Sequence, residues 1–394
     1  MTLFSSLNMF KKLTENKANA AAVIPPKLPS VSSSAVRFKL DTGTYETERI
    51  LGEGTFGRVE LVTEKETGTK LALKYILKSK TNFKDFQREF RMSYFLCGHA
   101  HVVCTLEAAF ETPEAYVFAQ EYAPCGDLFD AIPPHKGLME SRAKSCLPQI
   151  ASAIAFLHGQ NMVHRDIKPE NVLVFDESLT MVKLTDFGMT RKKGSHVKKT
   201  AHSIPYTPPE ICKAIKHEGY SVDVGQDVWS FAVLVFCTLT GSFPWEKADQ
   251  TDQYFTDFSK WLKRRSHVLP HDWRTFTPRL LKFYRKALEL KTSRRCSITD
   301  FFKYVDDDWI MPNKRHRSTD DDAENREAME DLRRKLRSYG VVTDTNKENR
   351  KQRTIEWVEQ WQPTSPLNAD EPDINDVIKD LKEEKKKDTK KGTD

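Results

Sequence analysis

Between residues 164 and 171 the chain reads HRDIKPEN, which places His164, Arg165, Asp166, Lys168 and Asn171 within a single short stretch. Asp166 is a carboxylate able to take a proton from a hydroxyl, and Lys168 beside it is a cation able to neutralise charge on a transferring phosphoryl group. Asn171 offers a neutral oxygen, and Asp186, at the head of the tripeptide Asp186, Phe187, Gly188, offers a charged one. Hard oxygens of this kind suit a magnesium ion that also binds phosphate oxygens, with Gly188 expected to permit an unusual backbone at that junction. Polar groups so dense are costly to bury without function or mutual pairing, so they belong in a loop lining a cleft.

A second set lies upstream. LGEGTFGRVELV, residues 51 to 62, carries Gly52, Gly54 and Gly57 in a G-x-G-x-x-G pattern. That pattern alone fits a dinucleotide fold, a phosphate-covering loop or an ordinary glycine hairpin. A dinucleotide site needs a helix to begin inside the loop; here the sequence alternates as strand, turn at Thr67 and Gly68, and strand, so the loop sits in a hairpin. Glycines without Cβ let backbone N–H groups approach a polyphosphate, and Val59 on the outgoing strand is placed to cover a purine. On the next strand Ala72 and Lys74 are two apart and share a face, a small residue for a base and an ammonium for its phosphates. Glu89, on a following helix whose Phe86, Phe90 and Leu96 face inward, is the expected counter-charge for Lys74.

The elements that must position these groups are legible as periodicity. SCLPQIASAIAFLHGQNMV ahead of the polar loop repeats Leu147, Ile150, Ile154 and Leu157 at helical spacing. The longest apolar run, FAVLVFCTL at 231 to 239, is far short of the roughly 20 residues that span a bilayer and reads as a buried helix, so no membrane insertion is expected. Residues 1 to 44 read as a flexible arm, 45 to 310 as dense globular sequence, and 311 to 394 as a charged, largely disordered tail. A chain of 394 residues with 62 basic against 56 acidic side chains has a mixed surface rather than a basic stripe, which argues against nucleic-acid binding despite a net charge of +6. The N-terminus lacks the pattern of a secretory signal and the seven cysteines form no metal-ligand spacing, so a cytoplasmic, reducing setting is expected; the basic cluster at 313 to 317 is a weak argument for nuclear entry.

On these motifs the sequence resembles the eukaryotic protein kinases over residues 45 to 310. The resemblance implies an α+β bilobal fold, with an N-lobe of antiparallel sheet and one helix at 45 to 121 and a mainly helical C-lobe at 124 to 310. It implies a serine/threonine kinase, Lys168 being the signature of that type, using ATP and Mg2+ on protein substrates. Leu51, Gly52, Glu53, Gly54, Thr55, Phe56, Gly57 and Val59 would cover ATP, with Ala72 at the base and Lys74 paired to Glu89. Gln120 would be the gatekeeper, Glu121 to Ala123 would face adenine and Asp127 the ribose. Asp166 would be the catalytic base, and Asn171 and Asp186 the metal ligands. Asp227 of DVWSFAVLVF would support the catalytic loop, and Glu210 of PYTPPE would pair with Arg295. Pro208, Ala232 and Ser203 depart from the usual Ala, Gly and Thr without removing a catalytic group. Within the family, CGDLFDAI, SIPYTPPE and the RRCSI region are most similar to the SH3-binding domain kinases.

Other functions remain open on the sequence. A nucleotide-binding pseudokinase scaffold usually lacks one of Lys74, Asp166 or Asp186, and all three are present. Pro26 and Pro29 of PPKLP match a minimal SH3-domain ligand. Trp357, Val358 and Trp361 form an apolar stripe that suggests docking of the tail on the globular part. RKKGSHVKKTAHS, residues 191 to 203, concentrates like charge and is expected to be poorly ordered until a phosphate, best placed on Thr200 within reach of Arg165, compensates it.

Overall fold

The computed structural model describes residues 44–54, 56–199, 204–215 and 218–312. The arm with Pro26 and Pro29, Thr55, Thr200, Ser203, the basic cluster 313–317 and the tail stripe at Trp357 lie outside the described residues.

The N-terminal half of the fold is one antiparallel sheet in the order β1-β2-β3-β5-β4, built from β1 (Tyr45–Gly54), β2 (Gly57–Glu64), β3 (Lys70–Leu77), β4 (Thr105–Glu111) and β5 (Ala115–Glu121). The glycine loop is the tip of the β1-β2 hairpin, where Gly54 pairs with Gly57, as the alternation required. Gly57 is irreplaceable on steric grounds: with φ 156° its missing Cβ would sit 1.7 Å from the Tyr75 carbonyl oxygen. Val59 faces Lys74 across the β2-β3 ladder, and Ala72 stands between Leu61 and Gln120 on its two neighbours, so these side chains share one face of the sheet.

Helix α1 (Phe83–Leu96) packs on that face. It starts where the Asn82 side chain accepts the Asp85 N–H, a capping arrangement that satisfies an otherwise orphaned donor. Phe86 and Leu96 are buried, and Phe86 and Phe90 meet Phe118 of β5 through tilted rings 6.2 and 5.8 Å apart. Truncating Phe86 to Ala would cost about 3–5 kcal/mol, the usual range for a buried phenyl ring, and would free the helix that carries Glu89.

The second half is mainly helical. After the short α2 (Leu128–Ala131) comes α3 (Glu140–Gly159), whose Leu147, Ile150, Ile154 and Leu157 are all buried. The ribbon pairs β6 (Met162–Val163) with β9 (Arg191–Lys192) and β7 (Val172–Val174) with β8 (Val182–Leu184) hold the polar loop and the Asp186 junction beside each other. Strand β10 (His196–Val197) pairs with β11 (Tyr220–Ser221), and α4 (Pro209–Lys213) lies between them in sequence. Helix α5 (Val224–Thr240) is buried without a break from Gly225 to Leu239, so the apolar run is a core helix. Gly241 ends it in the left-handed region at φ 65°. Helices α6 (Gln253–Leu262) and α7 (Pro278–Ala287) close the lobe over an aromatic core of Trp229, Trp245, Phe258 and Trp273.

The basic stretch expected to repel itself is instead tied down as far as Lys199. Its residues enter the β9 and β10 ladders, and the Lys199 ammonium donates to the carbonyls of Cys212 and Ala214 at 2.9 and 3.0 Å. Backbone pairing and carbonyl acceptors overcome the like charge there.

Candidate active site

Lys74 stands at the centre of the site. Its ammonium lies 2.6 Å from Glu89 Oε1 on α1 and 3.2 Å from Asp186 Oδ1 beyond β8. Burial alone would lower its pKa, but Asp186 and Glu89 outweigh that and hold it above the ordinary lysine value. Lys74 in turn brings the Asp186 carboxyl down to about 2, against burial, with Lys168 helping. Asp186 is therefore fully ionised at neutral pH, as an oxygen ligand for a hard cation must be.

The unusual backbone at this junction belongs to Asp186 itself, at φ 63°, and not to Gly188 as expected. At Gly188 a Cβ would meet Glu89 Oε2 at 2.9 Å, so a side chain there would push the Glu89 carboxylate aside. Phe187 is buried, its ring edge-on to His164 with centroids 5.2 Å apart, which turns Asp186 toward Lys74.

The polar loop is held from beneath by α5. Asp227 accepts the N–H of His164 and of Arg165, each at 2.8 Å, and His158 Nε2 sits 2.9 Å from the same carboxylate. The His164 ring nitrogens meet the Thr185 carbonyl at 3.0 Å and the Asp166 N–H at 3.2 Å, so one imidazole links the two catalytic stretches. Asp166 Oδ2 is 2.8 Å from the Lys168 ammonium and accepts from Asn171 Nδ2 at 2.9 Å. Burial would raise the Asp166 pKa, but Lys168 overrides it and the carboxyl is held below its usual range. With its amide nitrogen given to Asp166, Asn171 keeps its amide oxygen for a cation. Asn171 and Asp186 would offer two hard oxygen ligands, a set that fits magnesium if phosphates and water supplied the rest.

At the adenine end the sequence expectation needs refinement. The Glu121 side chain does not face a base: Oε1 accepts the Cys104 N–H at 2.6 Å, and both oxygens meet the Lys183 ammonium at 2.8 and 2.7 Å. Gln120 is buried and donates to Thr105 Oγ1 at 3.1 Å. Asp127 caps α2 by accepting the Asp130 N–H at 3.1 Å, and its pKa is raised to about 7 by burial and by Asp130. Glu89 reaches the site through its ion pair with Lys74. Of the glycine-loop residues, Gly52, Glu53 and Gly54 pair with Val59, Arg58 and Gly57 in the hairpin, and Val59 stands opposite Lys74 on the next strand.

Two supporting pairs lie farther out. Glu210 and Arg295 form the expected bidentate ion pair at 2.7 and 2.6 Å, with the arginine side chain fully buried over Trp229. Arg165, expected to meet a phosphate, donates to the Met189 carbonyl and to Tyr220 Oη, both at 2.7 Å. Sequence reasoning missed the Glu121, Cys104 and Lys183 network and the His158 bond to Asp227, because no spacing rule links such distant positions.

A β-rich lobe and a helical lobe with this lysine, aspartate and asparagine set between them define a phosphotransfer fold, and the protein kinase domain model matches residues 45–310. The chain belongs to the protein kinase family, with the bilobal α+β fold and serine/threonine type expected from its motifs. More particularly it falls with the SBK kinases. It is 50% identical over 267 residues to "Serine/threonine-protein kinase SBK1" of Danio rerio, covering 68% of this chain and 69% of that one. It is 49% identical over 264 residues to SBK1 of Mus musculus, covering 67% and 63%. To "Serine/threonine-protein kinase meng-po" of Drosophila melanogaster it is 38% identical over 306 residues, covering 77% and 65%. Protein kinases in general use ATP and magnesium.

Proposed function

We propose that this chain transfers the γ-phosphoryl group of ATP to serine or threonine hydroxyls of protein substrates. The observation that carries this is Lys74 bonded at once to Glu89 and Asp186, because it joins the sheet, α1 and the metal-ligand junction in one arrangement. In this reading ATP with magnesium supplies the phosphoryl group and screens its charge. Gly52 to Gly57 lie over the phosphates, and the Lys74 ammonium draws them toward Asp186. Asn171 and Asp186 hold the metal, Val59 and Ala72 bracket the base, and Asp127 takes the ribose. Asp166 accepts the substrate hydroxyl's proton, kept ionised by Lys168, which also faces the transferring group.

The complete set of Lys74, Asp166, Asn171 and Asp186 favours turnover over a nucleotide-binding scaffold. A cytoplasmic setting belongs to the same proposal, since all seven cysteines are free. Among the described residues no helix is long and apolar enough to cross a membrane. The test is incubation of the purified chain with ATP, magnesium and an arrayed peptide library, with phosphate located by mass spectrometry. Phosphoserine or phosphothreonine that disappears in Asp166→Asn is expected. Equal, near-zero transfer by wild type and variant, with ATP bound by both, would return the scaffold reading.

A further inference from the structure

Residues 194 to 199 are joined to residues 219 to 222 along a short ribbon. The Gly194 N–H donates to the Val222 carbonyl and the Val222 N–H to the Ser195 carbonyl, both at 2.8 Å, beside the β10-β11 ladder that pairs Val197 with Tyr220. Gly219 lets the two strands close, since a Cβ there would sit 2.2 Å from the Val197 carbonyl oxygen. Val197, Tyr220 and Val222 are buried together with Ile211 of α4 and with Val163, which directly precedes the catalytic loop. Lys199 continues the seam by donating to the carbonyls of Cys212 and Ala214 at 2.9 and 3.0 Å. Those carbonyls stand at the C-terminal end of α4, where acceptors lack partners within the helix, so an ammonium there satisfies them.

The position of α4 bears on the chemistry. Thr207 and Pro208, which lead into it, and Ile211 within it line a cavity together with Arg165 and Asp166. That cavity lies beside the carboxylate that takes the substrate proton in the reading above. The ribbon also reaches the catalytic loop directly, because Arg165 donates to Tyr220 Oη at 2.7 Å.

We propose that Lys199 is a positioning residue for phosphotransfer: by pinning the ribbon to α4 it sets the wall beside Asp166 from within the chain, without a phosphate on Thr190, Ser195 or Thr200. The inference rests on the phosphotransfer reading and adds what holds the substrate side of that site. A phosphate orders a basic segment by supplying acceptor oxygens to its cations. Here main-chain carbonyls already supply them to Lys199, and the Met189 carbonyl and Tyr220 supply them to Arg165. Lys74 serves the nucleotide side, whereas Lys199 acts through α4, so loss of Lys199 is felt in peptide turnover and not in ATP affinity.

The test uses the full-length chain freed of phosphate by a phosphatase that is then removed, with intact mass confirming the unmodified chain before and after each initial-rate measurement. Amide hydrogen exchange is followed at Gly194 and Val222, and initial rates on the best peptide from the array. The dephosphorylated wild type should exchange slowly at both amides and keep its peptide turnover within about twofold. Lys199→Met keeps the apolar stem and loses the cation. It should lower kcat/KM for peptide by roughly tenfold to a hundredfold, the worth of hydrogen bonds from a charged donor, while the KM for ATP stays near wild type. Lys199→Arg should recover most of that loss, since it brings a cationic donor to the same carbonyls. Fast exchange of the ribbon in the dephosphorylated wild type, loss of its turnover together with its phosphate, or a Lys199→Met chain with unchanged peptide kcat/KM would overturn the proposal. The exchange result on wild type decides even if Lys199→Met does not fold. A wild type that is inactive before and after phosphatase, with its ribbon protected, would instead overturn the phosphotransfer reading on which the proposal rests.

Discussion

Asp227 accepts the Arg165 N–H through Oδ1 at 2.8 Å, and Arg165 has φ 73°. A buried carboxylate on the core helix therefore holds the catalytic loop in the left-handed conformation that an arginine rarely adopts by itself. Its other oxygen holds the His164 N–H at 2.8 Å. Burial would raise the Asp227 pKa, but the His158 hydrogen bond and nearby histidine charge keep it below the usual range, so the acceptor stays ionised.

Asp227→Asn should consequently uncouple the loop from its support. One of two amides would face an N–H instead of an oxygen, leaving a buried donor unsatisfied at a cost of about 1–3 kcal/mol. Thermal melting should drop by several degrees and kcat by more than the KM for ATP changes. Unchanged melting would mean the loop holds its shape without this carboxylate.

Asp166→Asn should behave otherwise. Its amide oxygen can take the place of Oδ2 and keep the bonds from Lys168 and Asn171, so volume and those two hydrogen bonds are kept. Phosphotransfer should fall roughly a hundredfold to ten-thousandfold while ATP affinity and melting temperature stay near wild type. A fall in ATP affinity to match the fall in rate would assign Asp166 to binding instead of proton transfer.

Lys74→Met removes the one cation shared by Glu89 and Asp186. The two carboxylates then face each other across a half-buried site, and a loss of about 2 kcal/mol of stability is expected, discounted from the cost of breaking a fully buried pair because Asp186 is partly exposed. Both the KM for ATP and kcat should suffer. Addition of magnesium should restore part of the lost melting temperature, since a cation ligated by Asp186 replaces some of the missing charge; no magnesium response would argue that Asp186 is not a ligand.

Much of this was legible because the informative groups are local in sequence. HRDIKPEN, the glycine hairpin and the helix stripes of α1 and α3 are patterns within a few turns or strands, and each landed where periodicity placed it. Lys74 and Glu89 needed only a strand face and a following helix. The second counter-charge on Lys74 comes from Asp186, more than a hundred residues on, and the Glu121 side chain is claimed by Cys104 and Lys183 through sheet registry that no one-dimensional spacing records. Residue type points to Gly188 for the strained φ, but the ion pair with Lys74 holds Asp186 itself in the left-handed region that glycine adopts more easily.

Asp127 makes the site sensitive to pH in the neutral range. Burial, then the charges of Asp130 and Glu170, lift its pKa to about 7, against the opposing hydrogen bond from the Asp130 N–H. A carboxyl raised in the folded state binds a proton more readily folded than unfolded, so its contribution to stability is fully present below its ordinary value of 3.8, declines above that, and is lost as pH rises through 7. With Asp127 on the ribose, as proposed above, binding runs the other way, because the ionised form is the stronger acceptor for hydroxyls: the KM for ATP should rise as pH falls from 8 to 6. Asp127→Asn keeps an oxygen for the helix cap, since Asn caps as well as Asp, and abolishes the titration. The variant should melt a few degrees above wild type at pH 8, show no such gain at pH 5, and give a KM for ATP that is flat between pH 6 and 8. A variant whose KM still climbs toward acid would place the titrating group elsewhere, with the phosphates of ATP itself the first alternative.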